Sequence, residues 1–277
     1  MNRWIALAWA VAFMVTAQPA FSSVLAQAMP SKMNLTLKPG APLSRDVAIV
    51  NQGDSPVVVH VHLSDWTLSE AGELTLLPPG ATPVSLDGLV TFEPTEFSLG
   101  PGETGVIHVT MRIPGDGPAT RWGVLLSQVR PAVWPKETRG PRAMAELGTT
   151  LYLSRIAADQ TRAELSGMNV MPSADTSFSI AVRVRNPGLR HFYSSGEIAV
   201  KDTVGQTVAS GKLGTSVVLP GADRVFTWTC DSRLAPGRYR VMATLDTGEP
   251  ELIVGETEVR WPLLKPASPP LAHFDPH

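Results

Sequence analysis

Apolar and polar residues alternate with a period of two in four separate runs of the chain. Successive side chains of a β-strand point to opposite faces, so this period predicts strands with one face in a core. No long run has the 3.6-residue period of an amphipathic helix. The pattern therefore predicts an all-β protein, with strands in residues 57–63, 107–113, 178–184 and 239–245.

Turn signals separate the apolar runs. Pro-Gly pairs occur at residues 39–40, 79–80, 101–102, 220–221 and 236–237. Proline restricts φ to negative values and glycine tolerates positive φ, the combination that a type II turn requires. The pairs predict tight reversals between antiparallel strands.

Two short motifs occur once in each half of the chain. V-x-[IV]-x-N-x-G spans residues 47–53 and 182–188, and P-G-x-x-x-V spans residues 101–106 and 220–225. Two copies of one sandwich topology would explain the repeat, and so would chance combined with similar turn chemistry. Many short strands with frequent turns predict a sandwich or a barrel. With 277 residues, a length that suits about two domains, we expect two β-sandwich domains in tandem.

The predicted domain limits follow breaks in the strand pattern. Prolines, glycine and charged residues between 131 and 145 predict a linker or a long exposed loop. We therefore expect a first domain over residues 29–145 and a second over residues 146–262. Residues 263–277 contain four prolines, which predict an extended, mobile tail.

The first 28 residues have the features of a secretory signal peptide. Arg3 precedes an uncharged apolar stretch from Trp4 to Ala17, and small-residue patterns predict cleavage after Ala26 or Ala28. The stretch is shorter than the roughly 20 residues that span a bilayer, and no Cys follows it for a lipid anchor. We expect an exported protein of the periplasm, or alternatively of the cell surface, with no transmembrane segment after signal cleavage.

Composition and motifs argue against several functions. A net charge of −2 does not suit a nucleic-acid partner, which needs a basic surface. The sequence has no nucleophile elbow, phosphate-binding loop or zinc-protease motif. His60 and His62 share one face of a predicted strand, but a metal site needs a third ligand and Asp65 has the opposite parity. We therefore expect a protein that is not an enzyme and has no cofactor or metal.

Two further side chains have both a functional and a packing interpretation. Cys230 is the only cysteine, so it forms no internal disulfide, and its position in a strand-like run favours a packed side chain over a reactive thiol. Trp66 is either a ligand-binding aromatic residue or a residue that closes the core, and we favour the core.

The segment at residues 147–153 is the candidate binding element. Leu147, Leu151 and Leu153 alternate with residues of the other face, among them Tyr152. An apolar strand at a sheet edge can pair with a strand of a partner, which makes Leu147, Thr149, Leu151 and Leu153 the candidate partner-binding residues. An ordinary inner strand, or the first strand of the second domain, fits the same pattern.

Most of the chain after residue 28 resembles the periplasmic pilus-assembly (PapD-like) chaperones in a divergent two-domain form. The resemblance rests on the order of loose motifs across about 230 residues. In the first half these are Leu37-Lys38-Pro39-Gly40, Asp65-Trp66, Pro94-Thr95-Glu96-Phe97-Ser98-Leu99 and Arg121-Trp122-Gly123-Val124, and in the second half Asn186-Pro187-Gly188 and Leu219-Pro220-Gly221. The arrangement is also similar to Gram-positive surface proteins with peptidoglycan-binding and host-binding sandwich domains.

The resemblance implies an immunoglobulin-like fold and a mechanism in which the last strand of the first domain completes the fold of an exported subunit. It also implies a cationic pair that holds the carboxylate of the client. Lys32 and Arg155 are the candidates for this anchor, although the last strand has Thr149 and Thr150 and no lysine. The predicted function is that of a chaperone or assembly factor for surface or pilus-like subunits; the alternative is a surface adhesion or wall-binding scaffold that binds peptidoglycan or another surface ligand.

Overall fold

The structure is a computed structural model that describes residues 24–133, 144–156, 161–172, 177–231 and 234–262. Within these residues the chain forms β-strands and no helix. The strands are β1 (Ala26–Met29), β2 (Lys32–Leu37), β3 (Leu43–Asn51), β4 (Val57–Leu68), β5 (Leu74–Leu77), β6 (Val90–Glu93), β7 (Glu96–Leu99), β8 (Thr104–Met111), β9 (Thr120–Pro131), β10 (Ala145–Arg155), β11 (Glu164–Pro172), β12 (Phe178–Arg185), β13 (Phe192–Lys201), β14 (Thr207–Val218), β15 (Asp223–Cys230), β16 (Gly237–Asp246) and β17 (Ile253–Trp261).

Two sheets form the first sandwich. One has the strand order β1-β3-β8-β6, and the other has the order β2-β10-β9-β4-β5, with β7 paired to the first part of β4. The ladders are antiparallel except for the one between β2 and β10, which is parallel. The first two strands of the chain thus lie in different sheets, since β1 joins the first and β2 joins the second.

The second sandwich has a three-stranded sheet of order β11-β12-β15 and a four-stranded sheet of order β14-β13-β16-β17. Its ladders are all antiparallel. The prediction of an all-β protein with sandwich domains is confirmed.

The alternating runs form strands whose apolar faces make the two cores. Val59 in β4, Val109 in β8, Val182 in β12 and Val241 in β16 are each 0% exposed. Burying a side chain of this size contributes about 1.5–3 kcal/mol, so the period-two pattern both marks the strands and stabilises the sandwiches. Cys230 is 3% exposed and belongs to the second core, as predicted.

Four of the five Pro-Gly pairs form the predicted kind of turn. Gly40, Gly80, Gly102 and Gly221 have φ values of 75°, 81°, 72° and 73°. Gly237 is the exception, because it begins β16 and its φ is not positive. Its pair therefore starts a strand instead of reversing the chain.

The predicted limit between the domains, at residues 145 and 146, is wrong. β10 pairs with β2 and β9 of the first sandwich, and Leu151 and Leu153 lie in the first core. The region 131–145 therefore joins two neighbouring strands of one domain, and the chain passes to the second domain after Ile156, whose amide donates to the carbonyl of Leu37 at 3.0 Å.

The start of the first domain also precedes residue 29. β1 pairs with β3 over Ala26–Met29, and the amide of Gln52 donates to the carbonyl of Leu25 at 2.8 Å. Both predicted cleavage positions thus fall in β1. The apolar stretch of the predicted signal peptide and the predicted tail lie outside the described residues. In the part of the chain that the structure describes, no helix has the length and hydropathy needed to cross a membrane.

Candidate functional site

The two halves of β10 differ in how many neighbours they have. Residues 150–155 pair with β2 on one side and with β9 on the other. Residues 145–149 pair with β9, but the ladder with β2 begins only at Thr150. Among the described strands none pairs with residues 145–149 on that second side, and we call this segment the open edge.

The backbone of the open edge presents hydrogen-bonding groups outward. The amide of Thr150 points toward β2 and donates to the carbonyl of Ser31 at 3.0 Å. Because backbone groups alternate sides along a strand, the amides of Glu146 and Gly148 point to the same side as that of Thr150. Unpaired groups of this kind are a template for an added strand.

The inward side chains of the open edge form an apolar corner. Ala145 and Leu147 are partly buried and pack against the first core, as do Ala26 and Ala28 of β1. β1 runs alongside β10 without pairing with it. Thr149 is 1% exposed, and its Oγ1 donates to the carbonyl of Pro30 at 2.9 Å. Small and partly covered apolar groups therefore line the end of the sandwich at which β10 lacks a second partner.

The structure corrects the candidate strand at two of its four residues. Leu147, Leu151 and Leu153 share one face and Tyr152 lies on the other, as the alternation predicts. Leu151 and Leu153, however, are 0% exposed in the core of their own domain, on a stretch paired on both sides. In the free protein these two side chains are therefore not accessible to a partner. Of the four candidates, Leu147 and Thr149 lie on the open edge.

The second sandwich has a comparable seam that is closed. β11 and β17 lie side by side in different sheets. Leu165 of β11 covers Gly255 of β17 so closely that a Cβ at Gly255 would be 2.6 Å from Leu165 Cδ1. A register shift between Leu165 and Gly167 interrupts the β11 edge, and β17 carries exposed Glu256 and Glu258. Bulges and charges of this kind discourage strand addition.

A cluster of aromatic and aliphatic residues joins the two sandwiches. Trp66, Trp122 and Tyr152 from the first domain pack with Leu219 from the second. The Trp66 ring centroid lies 6.0 Å from that of Tyr152, and Trp122 Nε1 donates to the carbonyl of Trp66 at 3.2 Å. Trp66 is 3% exposed. It is a packed residue as predicted, but it closes the junction between domains instead of one core.

His191 lies at this junction against Tyr152. Their ring centroids are 4.0 Å apart with an interplanar angle of 17°, and His191 Nε2 donates to Asn34 Oδ1 at 3.1 Å. His191 Nδ1 is buried and has no hydrogen-bond partner among the described residues. Burial, followed by the charges of Arg190 and Lys32, lowers the pKa of His191 from 6.5 to about 4. Burial is also the main cause that raises the pKa of Tyr152.

The structure does not bring the two candidate anchor residues together. Lys32 Nζ lies 3.8 Å from the ring centroid of Tyr193, in the cleft between the domains. Arg155 is at the far end of the paired strands, where its guanidinium donates to the carbonyls of Gly115 and Gly117. Lys32 pairs with Thr150, five residues before Arg155 on β10, which corresponds to about 16 Å along a strand. Lys32 and Arg155 therefore do not lie at one site in this structure.

A different cation accompanies Lys32 in the cleft. Arg190 Nη2 donates to Thr36 Oγ1 at 2.6 Å, and Arg190 helps to line a cavity of about 370 Å³ together with Asn34, His191, Tyr193 and Glu249. Sequence reasoning missed Arg190 and His191, because both follow a turn of the second domain and meet β2 only through the docking of the two sandwiches.

The two histidines of β4 form no metal site with their described neighbours. The ring centroids of His60 and His62 are 5.9 Å apart, so they do share a face. Within the described ranges, no group of three or more His, Cys, Asp or Glu side chains is arranged to hold a metal ion.

The chain is similar in fold to several solved chaperone structures. One is the CsuC–CsuE chaperone–tip adhesion subunit pre-assembly complex of Acinetobacter baumannii, with 12% identity over 83% of this chain and 98% of that chain and a TM-score of 0.46. Others are the CupB2 chaperone of Pseudomonas aeruginosa, with 13% identity over 84% and 98% of the two chains and a TM-score of 0.42, and the DraB chaperone of E. coli, with 14% identity over 86% and 98% and a TM-score of 0.42.

No protein-family model matches the sequence, and no curated protein matches it. The solved structures named above are structures of chaperones. Their low identity describes a distant likeness in fold.

Proposed function

We propose that this chain is an exported, non-enzymatic assembly factor that holds a segment of another exported protein by strand pairing along the open edge. The observation that carries the proposal is the one-sided pairing of residues 145–149, where the inward side chains of Ala145 and Leu147 are apolar and only partly covered. Edge strands are normally protected. The seam between β11 and β17 of the second sandwich differs, because Leu165 covers Gly255 there.

The chemistry of the open edge suits an extended peptide with alternating apolar residues. Glu146 and Gly148 offer backbone groups to a neighbouring strand, and each hydrogen bond gained contributes about 0.5–1.5 kcal/mol net. Apolar side chains of the added strand would cover Ala145 and Leu147 and remove their apolar surface from water. Main-chain bonds would thus supply affinity and the alternate side chains would supply specificity.

The sequence resemblance suggests the class of partner. In the family that the motifs resemble, the last strand of the first domain completes an exported subunit of a pilus or a similar surface structure. We propose the same class of partner here, in the periplasm. Lys32 lies in the cleft beside this strand and is the one residue of the predicted anchor that remains a candidate for a client carboxylate.

Purification of the tagged chain from the periplasm of its own host tests the proposal. Glu146→Pro removes an outward amide and places a ring on the open edge, while the ladder with β9 is kept because that amide does not take part in it. Glu146→Ala is the matched control. It removes the same exposed side chain and keeps the backbone amide. We expect wild type and Glu146→Ala to retain the same exported partner and Glu146→Pro to lose it. Equal recovery of that partner with all three chains would contradict strand pairing at this edge.

A further inference from the structure

The tip of the β4–β5 hairpin, residues 69–72, leaves the first sandwich and contacts the second. The amide of Val225, near the start of β15, donates to the carbonyl of Glu70 at 2.8 Å. The guanidinium of Arg224 donates to the same carbonyl at 2.6 Å. The hairpin tip therefore bonds through its backbone to the edge of a strand in the other domain.

Gly72 allows Arg224 to take this position. A Cβ at Gly72 would lie 1.8 Å from Arg224 Nη2, and the φ of Gly72 is +93°, a value that other residues rarely adopt. Arg224 is held from its own side as well, since its Nε donates to Ser216 Oγ at 3.0 Å. Burial lowers the pKa of Arg224. The guanidinium is thus partly withdrawn from water and fixed between the two domains.

An ion pair adds a second contact at the tip. Glu70 pairs with Arg183 of β12, and Arg183 Nη1 lies 3.7 Å from Asp223 Oδ2. The side chains of Arg183 and Glu70 are 41% and 52% exposed. Exposed pairs contribute little to stability because solvent screens them. The backbone bonds to Glu70, and not this pair, are the main attachment.

The hairpin tip adjoins the junction cluster, because Leu68 and Ala222 pack against it, but the two kinds of contact differ. The cluster around Trp66 and Leu219 is apolar, and apolar contact is not directional. The bonds to the Glu70 carbonyl are directional.

Hydrogen bonds of His191 to Asn34 and of Arg190 to Thr36 also cross the junction, on the side of the cleft. The bonds to Glu70 hold the sandwiches at another point, and contacts at both points restrict rotation of one sandwich against the other.

We propose that the hairpin tip is a strap that fixes the angle between the two sandwiches and thereby sets the width of the cleft that holds Lys32 and His191. Arg224 and the backbone of residues 69–72 form the strap, and Gly72 is the residue that lets it close. This inference does not depend on the proposed binding function, since it concerns the free protein.

Distance measurements between two spin labels, one on each sandwich, test the strap. Cys230→Ser removes the native thiol, and the labels are attached through Thr91→Cys and Glu258→Cys, both at exposed positions. We expect the wild-type background to give one narrow distance distribution. Arg224→Ala should replace the narrow peak with a broad distribution, while circular dichroism shows that the strands are kept.

Arg183→Ala is the matched control, because it removes the exposed ion pair at the same tip and leaves both backbone bonds in place. Its distance distribution should stay narrow. Gly72→Ala is the second variant for the strap, and it should broaden the distribution in the same way, because its Cβ displaces Arg224 without removing any polar group. A narrow wild-type peak that persists unchanged in Arg224→Ala or in Gly72→Ala would overturn the proposal.

Discussion

Asn51 and Asn186 occupy equivalent positions in the two sandwiches and make the same hydrogen bonds. Each is 0% exposed, and each accepts a bond on its side-chain Oδ1 from the amide two residues ahead. Each also donates from Nδ2 to the carbonyl four residues ahead, that of Ser55 at 2.9 Å and that of Arg190 at 2.8 Å. The turn after the strand is therefore built in the same way in both domains.

The second repeated motif meets the first at these asparagines. The backbone carbonyl of Asn51 accepts from the amide of Gly102 at 2.9 Å, and that of Asn186 accepts from Gly221 at 2.8 Å. Both glycines belong to the Pro-Gly turns of the repeated P-G-x-x-x-V motif. The two motifs are thus parts of one structural unit that occurs twice, which favours two copies of one sandwich over chance as the origin of the repeat.

Replacing Asn51 by alanine should destabilise the first domain by about 3 kcal/mol, because the buried carbonyl of Leu99 and the partly buried carbonyl of Gly100 lose their donor. Urea unfolding followed by tryptophan fluorescence measures the change. Gln52→Ala is the control, since the side chain of Gln52 is exposed and bonds only to Gln27 among the described residues. A loss as small as that of the control would show that the asparagine is not needed for the turn.

His191 makes the stability of the protein depend on pH. Its pKa is about 4 in the folded chain, below the ordinary value of 6.5, so between these values the unfolded chain binds a proton that the folded chain does not. Stability from the neutral imidazole is therefore complete above pH 6.5 and is lost as the pH falls toward 4. The loss should amount to about 3 kcal/mol, measured by urea unfolding at a series of pH values.

His191→Gln is the control for this pH dependence. Glutamine keeps an amide donor for Asn34 but does not titrate, so the slope of stability between pH 4 and 6.5 should become smaller by the share of His191. An unchanged slope would assign the dependence to other groups.

Leu151 and Leu147 should respond differently to a charge. Leu151→Glu places a carboxylate in the first core, where Leu151 is 0% exposed, and should cost several kcal/mol and unfold the domain. Leu147 is partly buried on the open edge, so Leu147→Glu should lower the melting temperature far less while weakening partner capture. Thermal unfolding of both variants checks this, and equal losses would mean that the open edge is as closed as the core.

The sequence was sufficient to predict the strands and the turns whose residue types determine their conformation. Residues such as Val59 and Val182 alternate with more exposed residues because each strand of a sandwich has one face in the core and one face outside it. The Asn-x-Gly turns are predictable because their hydrogen bonds join residues that are close in sequence. The alternation alone did not assign β10 to a domain, because the pattern at Leu147, Leu151 and Leu153 is the same whichever sheet the strand joins. That choice depends on the parallel ladder with β2, more than a hundred residues away.

The cleft was predicted poorly for a related reason. The resemblance offered Lys32 and Arg155 as one anchor, but Lys32 lies in the cleft, whereas Arg155 lies beyond it and bonds to the loop carbonyls of Gly115 and Gly117. His191 and Arg190 have no sequence signal, since their surroundings are created by the docking of two domains. Contacts between domains depend on surfaces that no single strand pattern encodes.

Hydrogen exchange of the backbone amides at residues 145–149, read by mass spectrometry or NMR, tests the central claim that the open edge takes up a strand. In the free protein the amides of Glu146 and Gly148 should exchange rapidly, while those of Leu147 and Thr149 are protected by β9. When the partner that co-purifies with the chain is bound, the amides of Glu146 and Gly148 should become protected as well. A bound partner that leaves these two amides exchanging as fast as in the free protein would contradict the account.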